Sequence, residues 1–451
     1  TGSGNTGIGK AALRYSTAAD NTAVGASALD TVSSGGNNTA VGSVALTSLI
    51  TGSSNCAIGA GALRSSVTGT SNTAVGALSM FSGNGGTQNT AVGTGSLLYT
   101  TTGSNNVAMG ISAAASNTTG FSNVAIGAYA LRRNSNRGNL VAIGDSALYN
   151  NANGLALPSG KLPLPEGYYN TAVGSKALYS NITGFSNTAL GYLALFTNLS
   201  SNNTALGQNA AWQTSTGGSN TAVGSSALWS NTAGVDNTAI GNGTLYQNSS
   251  GTGNTAIGSN AGPNAATRSN TTALGFGATC TTGNSARIGN TAVNSIGGYA
   301  GWTTLPSDAR FKTNVATDVK GLDFILRLRP VTYNVKVHEL ASYLGEDQRM
   351  DAYGNVSPTT PSPEIMDARN AKATERYTGF IAQEVDAAAT AVGYDFSGVD
   401  KVKDSNDMLG LRYAEFVVPL VKAVQEQQAL IDAQQEQIDV LKQQVQDLLR
   451  R

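Results

Sequence analysis

Charge is scarce in this chain. Only 12% of its 451 residues are charged, histidine occurs once and cysteine twice. One histidine and two cysteines cannot make a structural zinc site or a disulfide framework. His338, the lone histidine, has no ligand partner nearby in sequence and reads as a surface residue. No metal or cofactor is expected. No apolar run approaches the ~20 residues that cross a bilayer, so no membrane insertion is expected, and no charged-then-apolar leader opens the chain. The chain begins at Thr1 rather than Met, which reads as a fragment of a longer polypeptide and leaves secretion open.

The charges present are unevenly placed. Residues 1–306 hold ten Lys or Arg and five Asp or Glu, and residues 307–451 hold seventeen and twenty-two. Neither part is basic enough to point to nucleic acid or an anionic membrane. Five scattered acids before Ser307 do not form the carboxylate constellation of an enzyme acting on an external substrate, nor the regular aspartates of calcium-binding repeats.

Glycine is abundant instead, at 55 residues, and it is periodic. The phrase Asn-Thr-Ala-Val-Gly-x-x-Ala-Leu recurs with its glycine at Gly9, Gly25, Gly42, Gly59, Gly76 and onward to Gly275 and, more weakly, Gly289, mostly seventeen residues apart. Gly and Asn are poor in helix interiors, so the period describes strands. Within Asn21-Thr22-Ala23-Val24-Gly25, positions two and four share one face. Position four is always Val, Ile, Leu or Met and position two becomes Val at Val107 and Val124, so that face is expected inside. The Ala28-Leu29 pair is expected to begin a second short strand. Cys56 takes the expected inward Thr position, and Cys280 lies about 60 Å away at ~4.8 Å per strand, so the two are read as separate buried thiols.

One repeat has too few apolar side chains to offset the entropy of ordering seventeen backbones, so copies must stack as coils of a β-solenoid. So thin a coil implies that parallel chains share a core. Between Gly144 and Gly174 the spacing grows to thirty residues, with three prolines. Those exclude a central strand and place a loop at about residues 149–169, where Tyr168 and Tyr169 are the candidate ligand contacts; the alternative is an inert decoration. Trp212 and Trp229, in successive coils, read as packing residues.

The phrase Asn123-Val124-Ala125-Ile126-Gly127 resembles the head repeats of trimeric autotransporter adhesins, and similar arrays occur in phage and bacterial fibres. The resemblance covers residues 1–293 and implies a left-handed parallel β-roll packed as a homotrimer. The seventeen-residue coil is longer than the adhesin pattern.

Beyond a connector at 294–306 the character changes. Ser307-Asp308-Ala309-Arg310-Phe311-Lys312 is followed by Gly321-Leu322, then by an alternating segment with Val331, Tyr333, Val335 and Val337 that reads as a strand. Residues 345–373 read as a long loop, followed by Gly379-Phe380-Ile381-Ala382-Gln383-Glu384-Val385 and Leu411-Arg412-Tyr413-Ala414-Glu415-Phe416. In this order the blocks resemble the self-releasing intramolecular chaperone of phage tailspikes and endosialidases. The resemblance implies a small α+β domain at 307–419 in which Ser307 cuts the Pro306-Ser307 bond and Lys312 is the general base, a Ser-Lys dyad. Asp308 and Arg310 would position them. Such a lysine must be neutral, which requires burial. The alternative keeps the domain as a permanent cap with Ser307 in a structural turn.

From Leu420 to the end, heptads place Val424, Ile431, Ile438 and Val445 at one core position and Leu420, Gln427, Gln434, Leu441 and Leu448 at the other, a coiled coil over 420–451. The pattern alone leaves two or three strands open; both resemblances imply three. The expectation is a mostly β chain: a trimeric solenoid, a chaperone domain and a coiled coil. It would serve as an extracellular or virion tail fibre binding a host-surface glycan or protein, or as a shaft that only spaces.

Overall fold

The computed structural model describes residues 2–151, 167–297, 299, 307–350, 356–404 and 407–450. The expected loop residues 152–166 and the Pro306 side of the expected cut lie outside them. The chain forms two compact units, Thr1–Asn290 with Gly345–Thr359, and Thr291–Leu344 with Thr360–Arg451.

The first unit is the expected solenoid. Its strands, from Thr6–Ile8 through Thr22–Val24 to Ser285–Ile288, make one parallel sheet of 17 strands. Register follows the repeat, with Thr22 opposite Thr39, Ala23 opposite Ala40 and Val24 opposite Val41.

The buried face is the opposite of the expected one. Ala23, Ala40, Ala57 and their equivalents are fully buried, whereas Thr22 and Val24 are half-buried and Ile58 and Leu190 are exposed. Coil volume decides this. Across so thin a coil only a methyl group fits beside the buried Leu29, Leu46 and Leu63, and a larger side chain would overpack it. The aliphatic column therefore points outward. Cys56 shares that outward face and is half-buried; only Cys280 is a buried thiol, its pKa pushed up by desolvation.

Asparagine is the commonest polar residue of the interior, a role the sequence reading did not assign it. Asn38 Nδ2 donates to Asn21 Oδ1 at 3.0 Å and to the Gly52 carbonyl at 3.0 Å, while Asn55 repeats the pattern on Asn38. The column continues through Asn72, Asn89, Asn106 and Asn123, is interrupted by Leu140, and resumes at Asn170. Buried amides are tolerated because each is bonded to the coils on both sides.

The Ala-Leu pair is not a second strand. Ser27 and Leu29 have φ of 52° and 49°, an alternation repeated in each coil. Left-handed backbone costs a non-glycine residue about 1–2 kcal/mol. Hydrogen bonds to the next coil, such as Leu29 N to Ala45 O at 2.9 Å, and burial of the leucine offset it. The glycine closing each strand is obligatory. Gly224 has φ 132°, and a Cβ there would stand 2.5 Å from the Gly241 carbonyl oxygen.

The second unit holds α1 (Leu322–Ile325), α2 (Val337–Leu344), α3 (Pro363–Thr374), α4 (Ala382–Ala391) and α5 (Val417–Leu449), together with an antiparallel pair, Val331–Tyr333 with Tyr377–Gly379. The expected strand stops at Tyr333, and Val337 instead starts α2 and buries its side chain. The expected loop at 345–373 contains a hairpin, Gln348–Met350 with Val356–Pro358, and α3. Ser362 caps α3 with Pro363 at its first turn, a start signal hidden in a Pro/Ser-rich composition. His338 is exposed as expected but not unpartnered, since Nε2 lies 3.0 Å from Asn370 Oδ1.

Candidate functional site

The hexamer beginning at Ser307 forms a single 3₁₀ turn, Ala309–Phe311. Asp308 is its cap, accepting from the Arg310 backbone N–H at 2.9 Å, and it also accepts from the Arg310 guanidinium at 2.7 Å. The Arg310 side chain, with its backbone N–H second, holds the Asp308 carboxyl below the ordinary range. The expected positioning pair is thus in contact. Ser307 and Lys312 are both exposed. Among the described residues no hydrogen bond joins them, so the single chain does not assemble the dyad.

The later motif blocks do converge. Glu426 of α5 accepts from the Leu322 backbone N–H at 2.7 Å, satisfying a donor at the start of α1. A Cβ at Gly321 would collide with this carboxylate, which explains the Gly321-Leu322 pair. Arg329 forks onto Glu384 of α4, tying the segment before Val331 to the Gln383-Glu384 motif. The hydroxyl of Tyr413 accepts from the Phe380 N–H at 3.1 Å and occupies the space where a Cβ of Gly379 would stand. Phe416 packs edge-on to Phe396 at 4.8 Å and stacks on Phe380 at 5.4 Å, closing a core with Phe324, Val385 and Val399. Glu426 was the residue missed in sequence, since it lies on the outer face of a heptad helix.

From Val424 to Leu449 α5 buries nothing. Val424, Ile431, Ile438, Leu441, Val445 and Leu448 are all 45% exposed or more. An aliphatic seam of this length is unstable facing water.

Tyr169 is exposed, while Tyr168 is half-buried with its ring 5.5 Å from the Arg137 guanidinium and 5.9 Å from Tyr169. Trp212 and Trp229 stack at 5.0 Å within a longer aromatic column. Among the described residues no group of His, Cys, Asp and Glu could hold a metal ion, and no helix is long and apolar enough to cross a membrane.

These features define a repetitive β-solenoid followed by a small α/β folding unit with a long terminal helix. Residues 307–394 match the family described as the chaperone of endosialidase, so the C-terminal part of the chain is a chaperone-of-endosialidase domain. Solenoid and chaperone together have the architecture of tail-fibre and endosialidase-like proteins. No curated protein and no solved structure gave a significant match.

Proposed function

We propose that the chain is the subunit of a homotrimeric extracellular fibre of the phage-tail type that attaches to a host surface, with its C-terminal domain nucleating assembly. One observation carries the trimer: the fourth strand position is Val, Ile, Leu or Met in all 17 strands, from Ile8 to Ile288, and none of these side chains is buried. Together they present on the order of 1,000 Å² per chain, above the roughly 800 Å² per partner of a stable interface. Three copies meeting on this face would supply the shared core that a single coil lacks. The exposed seam of α5 supports the same partnership.

Assembly follows from the periodicity. A slip of one coil keeps the Ala and Asn columns matched, so the solenoid specifies its own register weakly. Three C-terminal domains joined through α5 would set the register before the solenoids pair. In this proposal the solenoid spans 1–293, the connector 294–306, the chaperone 307–419 and the coiled coil 420–451. In the assembled fibre, Ser307 Oγ attacks the Pro306 carbonyl carbon while Lys312 takes the hydroxyl proton; the Pro306–Ser307 C–N bond then breaks, and Lys312 passes that proton to the leaving Ser307 amine. This leaves Pro306 as an ester on Ser307 Oγ, and water hydrolyses the ester to a Pro306 carboxylate and the free Ser307 hydroxyl, separating the two fragments. A second reading, a shaft with a retained cap, is favoured by the exposed and unbonded Ser307 and Lys312.

The test is native mass with chemical labelling. The wild type is expected at three chains, with Cys56 protected from maleimide. Val41→Lys with Ile58→Lys, on the strand of Cys56 and its neighbour, is expected to leave Cys56 labelled while α5 still holds three chains together. Cys56 protected from maleimide in that variant would remove the interface. A fragment of residues 307–451 released from the wild type and not from Ser307→Ala establishes cleavage; its absence from both leaves the retained cap.

A further inference from the structure

We infer that the solenoid carries a binding site for an acidic polysaccharide, centred on Arg132 and Arg133 at the head of an aromatic column. This inference rests on the attachment reading above and names the chemistry of its ligand. Residues before Ser307 carry only ten cations, and Arg132, Arg133 and Arg137 fall within six positions. Arg132 and Arg133 are both exposed. Arg132 donates to Tyr149 Oη at 2.9 Å and lies 5.1 Å over the Tyr129 ring and 5.8 Å over Tyr149. Arg133 lies 5.4 Å over the same Tyr149 ring and donates to Asn150 Oδ1 at 3.4 Å.

Two guanidiniums on one ring repel each other, and among the described residues no carboxylate pairs with either. Arg14, by contrast, is neutralised by Asp30 at 2.6 Å. Stacking on rings removes much of the rotamer entropy that a long cation loses on binding, so the donors are set for an anion before it arrives.

A saccharide chain is the anion carrier this surface fits. Tyr149, Tyr179, Phe196, Trp212, Trp229 and Tyr246 stack in successive coils at 5.0–5.9 Å with ring planes within 17° of parallel. Their faces are occupied by one another, so a ligand meets ring edges and their polar groups. The first four are half-buried and accessible. Their spacing is close to the length of one pyranose unit in an extended chain. Trp229 Nε1, in the same row, is buried with no acceptor. A linear sugar polymer lying along this row would meet a repeated edge at each residue and place a carboxylate or phosphate on the guanidinium pair.

Binding of the full chain is measured to oligogalacturonate, to a phosphomannan oligosaccharide and to a neutral maltooligosaccharide. At least one acidic probe is expected to bind about tenfold or more tighter than the neutral one, with affinity falling as salt is added. Arg132→Ala with Arg133→Ala is expected to abolish that preference, and Arg132→Lys with Arg133→Lys to restore part of it because charge returns without the fork. Trp212→Ala, away from the cations, is expected to weaken both classes of sugar by a few-fold. Unchanged native mass and melting temperature establish that the variants fold. Whichever acidic probe binds identifies the carboxylate or the phosphate as the source.

Equal binding of acidic and neutral probes, or a double alanine variant that binds as the wild type does, overturns the site. A glycan array on the same fibre separates this failure from the larger one. Neutral hits untouched by the arginine variants would leave attachment standing and remove the acidic site, whereas no hit on any glycan would remove the site and glycan attachment together.

Discussion

The two units hold themselves together by opposite means. In the solenoid almost every contact joins residues one coil apart, as in the Asn38–Asn21 and Leu29–Ala45 bonds, and no side chain larger than leucine or methionine enters the core from Thr6 to Met109. In the C-terminal unit the decisive contacts join distant segments, Leu322 to Glu426 and Arg329 to Glu384, around a cluster of phenylalanines. A periodic structure is easy to extend and poor at starting or at knowing where it stands. An aperiodic core has one register only. On the proposed reading, their pairing in one chain is the physical reason for a folding domain behind a fibre.

Perturbing each unit at its characteristic contact sharpens the comparison. The largest effect is expected from Gly224→Ala, because its backbone is left-handed and the next coil's carbonyl is in the way. Strain alone should cost about 3 kcal/mol, read as a lower denaturation midpoint, and melting at wild-type temperature would contradict the close-stacked coil. Asn220→Ala comes next. It leaves the Asn237 backbone N–H and side-chain amide without their Asn220 acceptor, while the Gly234 carbonyl keeps its bond from Asn231, for about 2 kcal/mol, and should speed hydrogen exchange in the coils on either side of it only.

In the C-terminal unit Tyr413→Phe deletes one acceptor of the Phe380 N–H. About 1 kcal/mol is expected, with exchange at Phe380 accelerated and the solenoid untouched. The smallest effect is a pH dependence. Arg329, through its hydrogen bonds and then its charge, holds the Glu384 carboxyl below its ordinary range. A depressed carboxylate contributes stability that is present above its unfolded pKa and lost as pH falls through the folded value. The pair is exposed, so the loss below the usual carboxylate range should be slight and shrink further in high salt. Glu384→Gln should remove that pH step.

How far the sequence could be read differs between the units for the same reason. Seventeen-residue spacing, the strand and its closing glycine were all legible, because a repeat displays its own constraints many times. Alternation groups Thr22 with Val24 but does not say whether their face turns in or out. That choice depends on the width of the coil, and Ala23 was the clue, being the one side chain small enough to face across it. The Ala28-Leu29 segment was misread because its alternation of left- and right-handed backbone mimics a strand's two-residue period. In the C-terminal unit, the Ser307 hexamer and its neighbours could be placed in order only through a resemblance. Glu426 had no local signal, since its partner lies 104 residues away.

One measurement tests the three-chain assembly most directly: the native mass of the full chain beside that of a chain ending before Val417, each expressed from its own gene. The predicted result is a three-chain complex for the first and no folded, register-matched trimer for the second. A well-folded single chain from either, with the Val and Ile columns open to water, would contradict it.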